Sequence, residues 1–401
     1  MRRLWICCLA LCLSDLACSA AGPITLEVSA GKHARKETPV RWDLPAGKSL
    51  SGDWKLVRAD GGKEVAMQTD SGGVTWILDE ELAAGAKRTY RLEPGTPANA
   101  PSRVTFAESG GKSLIFRVNG KDALCYNFGL MTPPEKVEPL FARSGYVHPI
   151  WSPSGKIISD DFPLNHKHHH GLWLTWSQTV FEGRPTNFWE QFRLEGKVEC
   201  AGVDAKIEGP VFGGFRARHK FTDLKAPAGP KPVLDDAWDV KLYALDKYYL
   251  VDFLSTEKLA GDSPLFFKEY RYGGLGFRGA AEWDGKDGCA FLTSEGKTRV
   301  NGHATKANWC EMNGKVKGET VGIGFFCHPS NFRAPEGMRI HDTEPFFNFV
   351  PCQGGDFEMR PGEPFVLRYR LFIHEGAASA QEMDRLWRDY AEPPEVKQVG
   401  G

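Results

Sequence analysis

The chain reads as an all-β protein: a small N-terminal sandwich, then a large two-sheet β-sandwich, with one helix near the C-terminal end. Three observations predict this. Glycine (44) and proline (26) are frequent and aromatics make up 12% of residues, a turn-rich composition. Short apolar/polar alternations recur between Gly and Asp turns, the period-2 pattern of half-buried strands. Only residues 379–390 show helical spacing: Ser379 caps, Glu382 follows three residues on, and Met383, Leu386 and Trp387 share a face. No repeat of 20–50 residues exists, which argues against a propeller or solenoid.

Within residues 22–95 the alternating segments are Ile24-Thr25-Leu26-Glu27-Val28, Trp54-Lys55-Leu56-Val57 and Thr75-Trp76-Ile77-Leu78, with a turn at Asp60-Gly61-Gly62. Residues 82–92 form a turn feeding a last strand. The pattern predicts a small sandwich of immunoglobulin or fibronectin type. Residues 94–101, rich in Pro, Gly and Ala, make a linker stiffened by proline. From 103 to 391 the strands lengthen. Residues 114–121 end in Asn119-Gly120, a hairpin signal. Residues 237–244 and 248–255 alternate across Leu245-Asp246-Lys247, and 321–327 and 364–374 are further strands.

Residues 1–21 carry the order of an export signal: Arg2 and Arg3, an apolar run from Leu4 to Leu13, then small residues around Ala17-Cys18-Ser19-Ala20-Ala21. A periplasmic or extracellular protein is expected. Cys18 opens a lipoprotein alternative, weakened by Asp15 where that signal takes an apolar residue. No later stretch reaches the ~20 apolar residues of a membrane span. Beyond the signal, Cys125, Cys200, Cys289, Cys310, Cys327 and Cys352 include no CxxC pair, so a zinc knuckle is not expected. Their spacing leaves disulfides and buried thiols both open. Fifty basic residues against 51 acidic ones give a net charge of −1, which offers nucleic acid nothing to bind.

The chemistry concentrates in Asn165-His166-Lys167-His168-His169-His170-Gly171-Leu172-Trp173, which holds four of the chain's 11 histidines. With Gly145-Tyr146-Val147-His148-Pro149-Ile150, Asn187-Phe188-Trp189, residues 273–278, His328-Pro329-Ser330-Asn331 and residues 369–376, this motif resembles a family of exported bacterial proteins of unknown function labelled "methane oxygenase PmoA". The likeness covers most of residues 103–390. Asn165 and Lys167 stand where that family has Asp and Pro, so a carboxylate role does not transfer to position 165. The label implies a multi-span helical subunit, which this strand-rich sequence does not match. The long strand-rich domain suggests instead, by analogy, the galactose-mutarotase-type supersandwiches of sugar epimerases and polysaccharide lyases.

Histidine both titrates near neutral pH and ligates metals. An extended motif would put His166, His168 and His170 on one face and His169 on the other. A divalent metal is therefore one alternative, with His166, His168 and His170 as ligands and His148, Glu190, His328 or His341 as distant help. No Glu follows the His-x-His pair in residues 172–177, which lowers that reading. The favoured alternative is metal-free acid–base work on a sugar, with histidine as acid and a carboxylate as base. His166, His168, His169, Glu190 and Glu269 are the catalytic candidates. His148, Trp173, Trp189, Arg271, Arg278 and His328 are substrate-binding candidates, with Trp173, Trp176 and Trp189 offering faces for sugar C–H groups. A non-catalytic glycan-binding protein is the other class. Buried carboxylates beside the histidines would favour an enzyme, and an exposed tryptophan platform would favour a binder. Gly274, Gly276 and Gly279 match a dinucleotide fingerprint only formally, since no βαβ unit surrounds them. His33, His219 and His303 stand alone. No nucleophile elbow or His-Glu-x-x-His helix is present.

Overall fold

The computed structural model describes residues 22–98 and 100–400. Residues 1–21, where the export signal is expected, lie outside them. Strands dominate, and the one α-helix among the described residues is Ala380–Ala391, where the Ser379 hydroxyl accepts the Glu382 N–H at 3.2 Å. No helix among the described residues is long and apolar enough to cross a membrane.

The N-terminal residues form two antiparallel sheets. One carries Ile24–Ser29, Lys87–Pro94, Trp54–Arg58 and Glu64–Val65; the other carries Pro39–Asp43, Gly73–Ile77 and Met67–Asp70. Alternation buries Leu26, Val28, Leu56 and Leu92 from the first sheet against Val40, Trp42, Val74 and Trp76 from the second. The first sheet has a member that the sequence pattern does not reveal. Glu395–Gln398 pairs with Ile24–Ser29, Val396 opposite Val28. Four residues, three of them polar, carry too little periodicity to read as a strand.

The large sandwich stacks two eight-stranded antiparallel sheets. In one, Leu172–Thr175 is central, between Tyr146–Ile150 and Gly274–Arg278. In the other, Lys231–Tyr243, Tyr249–Leu259, Phe365–Glu375 and Glu319–Cys327 lie side by side. The expected hairpin turns at Asn119-Gly120, with Val118 opposite Lys121. Phe116, Leu174 and Phe277 from the first sheet meet Phe215, Val251 and Ile323 from the second in one core. Residues from Val104 to Ile373 contribute to that core, so the packing is continuous across the domain. All six cysteines of the described chain are free, and all but Cys200 are buried.

The linker is not the only tie between the two parts. Arg35 donates to Asp389 on the helix at 3.0 Å, with both side chains 2% exposed, and to the Glu392 carbonyl at 2.7 Å. Thr38 and Arg385 complete the shell of Asp389. Arg35→Met therefore leaves a buried carboxylate with only those two partners, and should cost about 3 kcal/mol in urea unfolding. A proteolytic nick within residues 94–101 should leave both fragments together on gel filtration, because Glu395–Gln398 and Arg35 still join them.

Candidate functional site

The histidine motif is a loop, not an extended strand. Phe162 takes a left-handed conformation (φ 51°), and turns close from His166 N–H to Pro163 and from His169 N–H to His166, at 2.9 and 2.8 Å. Gly171 then threads the chain into the sheet; a Cβ there would meet the Val147 carbonyl at 2.3 Å. The strict alternation expected for the motif is thereby replaced. His166, His168 and His169 gather on one side, with ring centroids 4.7 to 5.7 Å apart. His170 turns the other way, into the interior, where its Nδ1 meets Asp161 at 2.6 Å and Asp161 accepts the Tyr146 hydroxyl. The set His166, His168 and His170 thus cannot close on one metal. Among the described residues no three His, Cys, Asp or Glu side chains have a metal-holding arrangement.

The three gathered histidines line a cavity of about 490 Å³, together with Glu190, Trp189, Arg271, Tyr272, Arg339 and Phe346. That size suits a small-molecule ligand. Glu190 is set by an Asx turn in which the Asn187 carbonyl oxygen accepts the N–H groups of Trp189 and Glu190 at 3.0 and 2.8 Å. Its carboxylate accepts from Asn187 at 2.8 Å, from the Tyr272 hydroxyl at 2.9 Å, and from Arg193. On the opposite flank His166 Nδ1 lies 2.9 Å from the Glu344 carboxylate. Glu344 in turn accepts from the fully buried Arg278 at 2.8 Å. Arg278 also donates to Asp284 and to Asn165, whose amide oxygen is sufficient beside two carboxylates.

Electrostatics divide the groups. Burial, which would raise Glu344, is outweighed by His166, Arg278 and His341, and its pKa falls to about 2. Burial, reinforced by the neighbouring His166, brings His168 down to about 3. Burial holds His169 well below 6.5, helped by His168, His166 and Arg278. Near pH 7 both imidazoles are therefore neutral. Tyr272 is raised by burial, by Tyr270 and by Glu190, so its phenol keeps its proton.

Several candidates stand elsewhere. Glu269 is exposed, its backbone N–H on Asp356. His148 faces Ser159 at 3.0 Å beneath the loop, outside the cavity wall. His328 follows a strand of the opposite sheet and packs on Tyr390 of the helix, with Nδ1 on Ser330 at 2.7 Å. A single site containing all the motif histidines is therefore not formed. Trp173 is fully buried behind His169, and Trp176 is a core residue donating to Glu257 at 2.9 Å. Arg278 organises the cavity from below without lining it. Gly276 sits inside a strand, where a Cβ would come 2.8 Å from Trp189, so its role is close packing. Phe192, 46% exposed, is the available aromatic at the mouth. Sequence patterns point to none of Phe192, Tyr272, Arg339 or Glu344, since each comes from a separate loop or strand.

A larger cleft of about 770 Å³ runs between the N-terminal sheets and the helix. Its histidines do not converge: His33 pairs with Glu392, and both ring nitrogens of His374 are sealed from the cleft.

A large antiparallel sandwich carrying a neutral-histidine and carboxylate cavity on one sheet is the class that fold and site define. The chain belongs to DUF6807, a family of unknown function whose model matches residues 113–388. That match names no activity, methane oxygenation included. No curated protein matches the chain. A solved structure similar to it is that of a galactose mutarotase related enzyme from Lactobacillus acidophilus, with 8% identity, 68% of this chain and 97% of that chain covered, and a TM-score of 0.32. A likeness of that size decides nothing about ligand or chemistry.

The buried neutral state of His169 has a measurable consequence. Below its unfolded pKa of 6.5 the unfolded chain takes up a proton there that the folded chain refuses, so stability falls as pH drops. His169→Gln removes that one uptake. Relative to wild type, the variant should gain about 1.4 kcal/mol per pH unit below 6.5, or about 2 kcal/mol at pH 5. Urea midpoints at pH 7.5 and pH 5 check this; a pH-independent difference would mean that His169 is not held neutral.

Proposed function

We propose that the chain is an exported carbohydrate-active protein whose 490 Å³ cavity carries out proton-transfer chemistry on a sugar. One observation carries the reading: four histidines, His166, His168, His169 and His341, line a ligand-sized cavity with the Glu190 carboxylate, and a second carboxylate, Glu344, stands behind His166. Such a set of titratable groups, with pKa values pushed apart, is costly to assemble and marks catalytic sites more often than structural ones.

Within this reading, Glu190 is the base, held by Asn187 and Tyr272. Neutral His168 has one ring nitrogen that donates and one that accepts, which suits a sugar hydroxyl. Glu344, 2.9 Å from His166 Nδ1, orients that ring. Phe192 and Phe346 supply apolar surface for sugar C–H groups. A passive glycan binder would present a flat aromatic platform, whereas Trp173 is 0% and Trp189 1% exposed. Export rests on the basic, apolar and small-residue order of residues 2–21.

His168→Ala and Glu190→Gln should each lower turnover at least ~100-fold, the usual scale for loss of an acid–base group. Their melting temperatures should stay within a few degrees of wild type, since both groups face a cavity. NMR of the protein incubated with a panel of neutral and acidic di- and trisaccharides provides the assay. Wild-type protein that neither alters nor binds any of them at millimolar concentration would falsify the carbohydrate reading.

A further inference from the structure

The charges around the cavity do not balance. Lys167 is held by Glu138 at 2.8 and 3.0 Å, Glu190 by Arg193, and Glu344 by Arg278 and His166. Two cavity-lining arginines remain. Arg271 lies over the rings of Tyr270 and Tyr272, 6.0 and 5.7 Å from their centroids, with no carboxylate in ion-pair range among the described residues. Arg339 shares one nitrogen with His303 at 3.3 Å and likewise has no ion pair. The nearest acidic side chains are committed: Glu344 as above, and Asp342 to His341 at 3.1 Å, 84% exposed.

The two guanidiniums line the same cavity and are close enough to repel. Burial first, then the charge of Arg271, lowers the pKa of Arg339. Like charges facing one cavity are unfavourable unless an anion comes between them. Three other arginines have carboxylates, Arg35 with Asp389, Arg278 with Glu344 and Arg370 with Asp252, whereas Arg271, exposed, and Arg339, half-buried, have none. The guanidinium fork suits a planar or tetrahedral oxyanion bidentately.

We infer that the ligand of this cavity is an acidic sugar, whose carboxylate or sulfate ester is held by Arg271 and Arg339. This rests on the carbohydrate reading above. The anionic group would sit at the arginine end, leaving the ring against Phe346 and Phe192 and its hydroxyls toward His168 and Glu190. Lys167 and Arg193, already paired, contribute no free charge there.

The test is calorimetric titration of the full chain with three disaccharide probes: a uronate-containing one, its neutral hexose counterpart and a 6-sulfated counterpart. Acetate and inorganic sulfate serve as sugar-free anions. Wild type should bind the uronate or the sulfated sugar at least about tenfold more tightly than the neutral one. Arg271→Gln and Arg339→Gln should erase that preference, and Arg339→Lys should restore part of it. Which acidic sugar binds more tightly assigns the anion as carboxylate or sulfate ester, and either result supports the inference. Equal binding of neutral and acidic sugars, unchanged in both variants, overturns the acidic-sugar assignment and leaves the carbohydrate reading intact. Arginine-dependent binding of acetate or sulfate with no sugar bound overturns both the acidic-sugar assignment and the carbohydrate reading, leaving only an anion site. Melting curves of the variants confirm that the fold is kept.

Discussion

The guanidinium of Arg278 is the interaction on which the site depends. It is fully buried at the end of a central strand, yet it reaches Glu344, Asp284 and Asn165, which come from three different loops. A buried cation of this kind is expensive to desolvate, and its two terminal nitrogens are met by carboxylates. Meeting them fixes where the histidine loop, the 284 turn and the 341–346 hairpin stand relative to one another. The His166–Glu344 pair, and with it the shape of the cavity, follows from that arrangement.

A second cation works from behind. Arg143 is completely buried, and burial lowers its pKa to about 10. Burial is the main reason that His170 and His219 stay neutral, and the charge of Arg143 adds to it in both cases. The loop thus stands between two arginines, and their charges add to burial in disfavouring His168, His169 and His170 as cations. Their neutrality is a property of the scaffold and not of the loop sequence alone.

The fold was largely legible in the sequence because strands and turns leave local marks: alternation in residues 24–28, the Asn119-Gly120 turn, and the Ser379 cap three residues before Glu382. The site was legible in part. His166, His168, His169, Trp189, Glu190 and Arg271 could be picked out because a histidine cluster and its aromatic neighbours are unusual in composition. Glu344, Tyr272 and Arg339 could not, since each is an ordinary residue made special by a contact distant in sequence. The expected facing of the histidines failed for a related reason. Period-2 reasoning assumes a strand, and the left-handed Phe162 with its following turns breaks the strand before His170.

The pairing of Ile24–Ser29 with Glu395–Gln398 joins segments separated by nearly the whole described chain. Loop-closure entropy makes such a contact slow to form unless the intervening domain has already brought its ends close. The small sandwich, though first in sequence, therefore gains its outermost strand only after the large one is in place. Folding order runs opposite to chain order at that edge, and the open side of Ile24–Ser29 is a pairing surface for other chains until Glu395–Gln398 arrives.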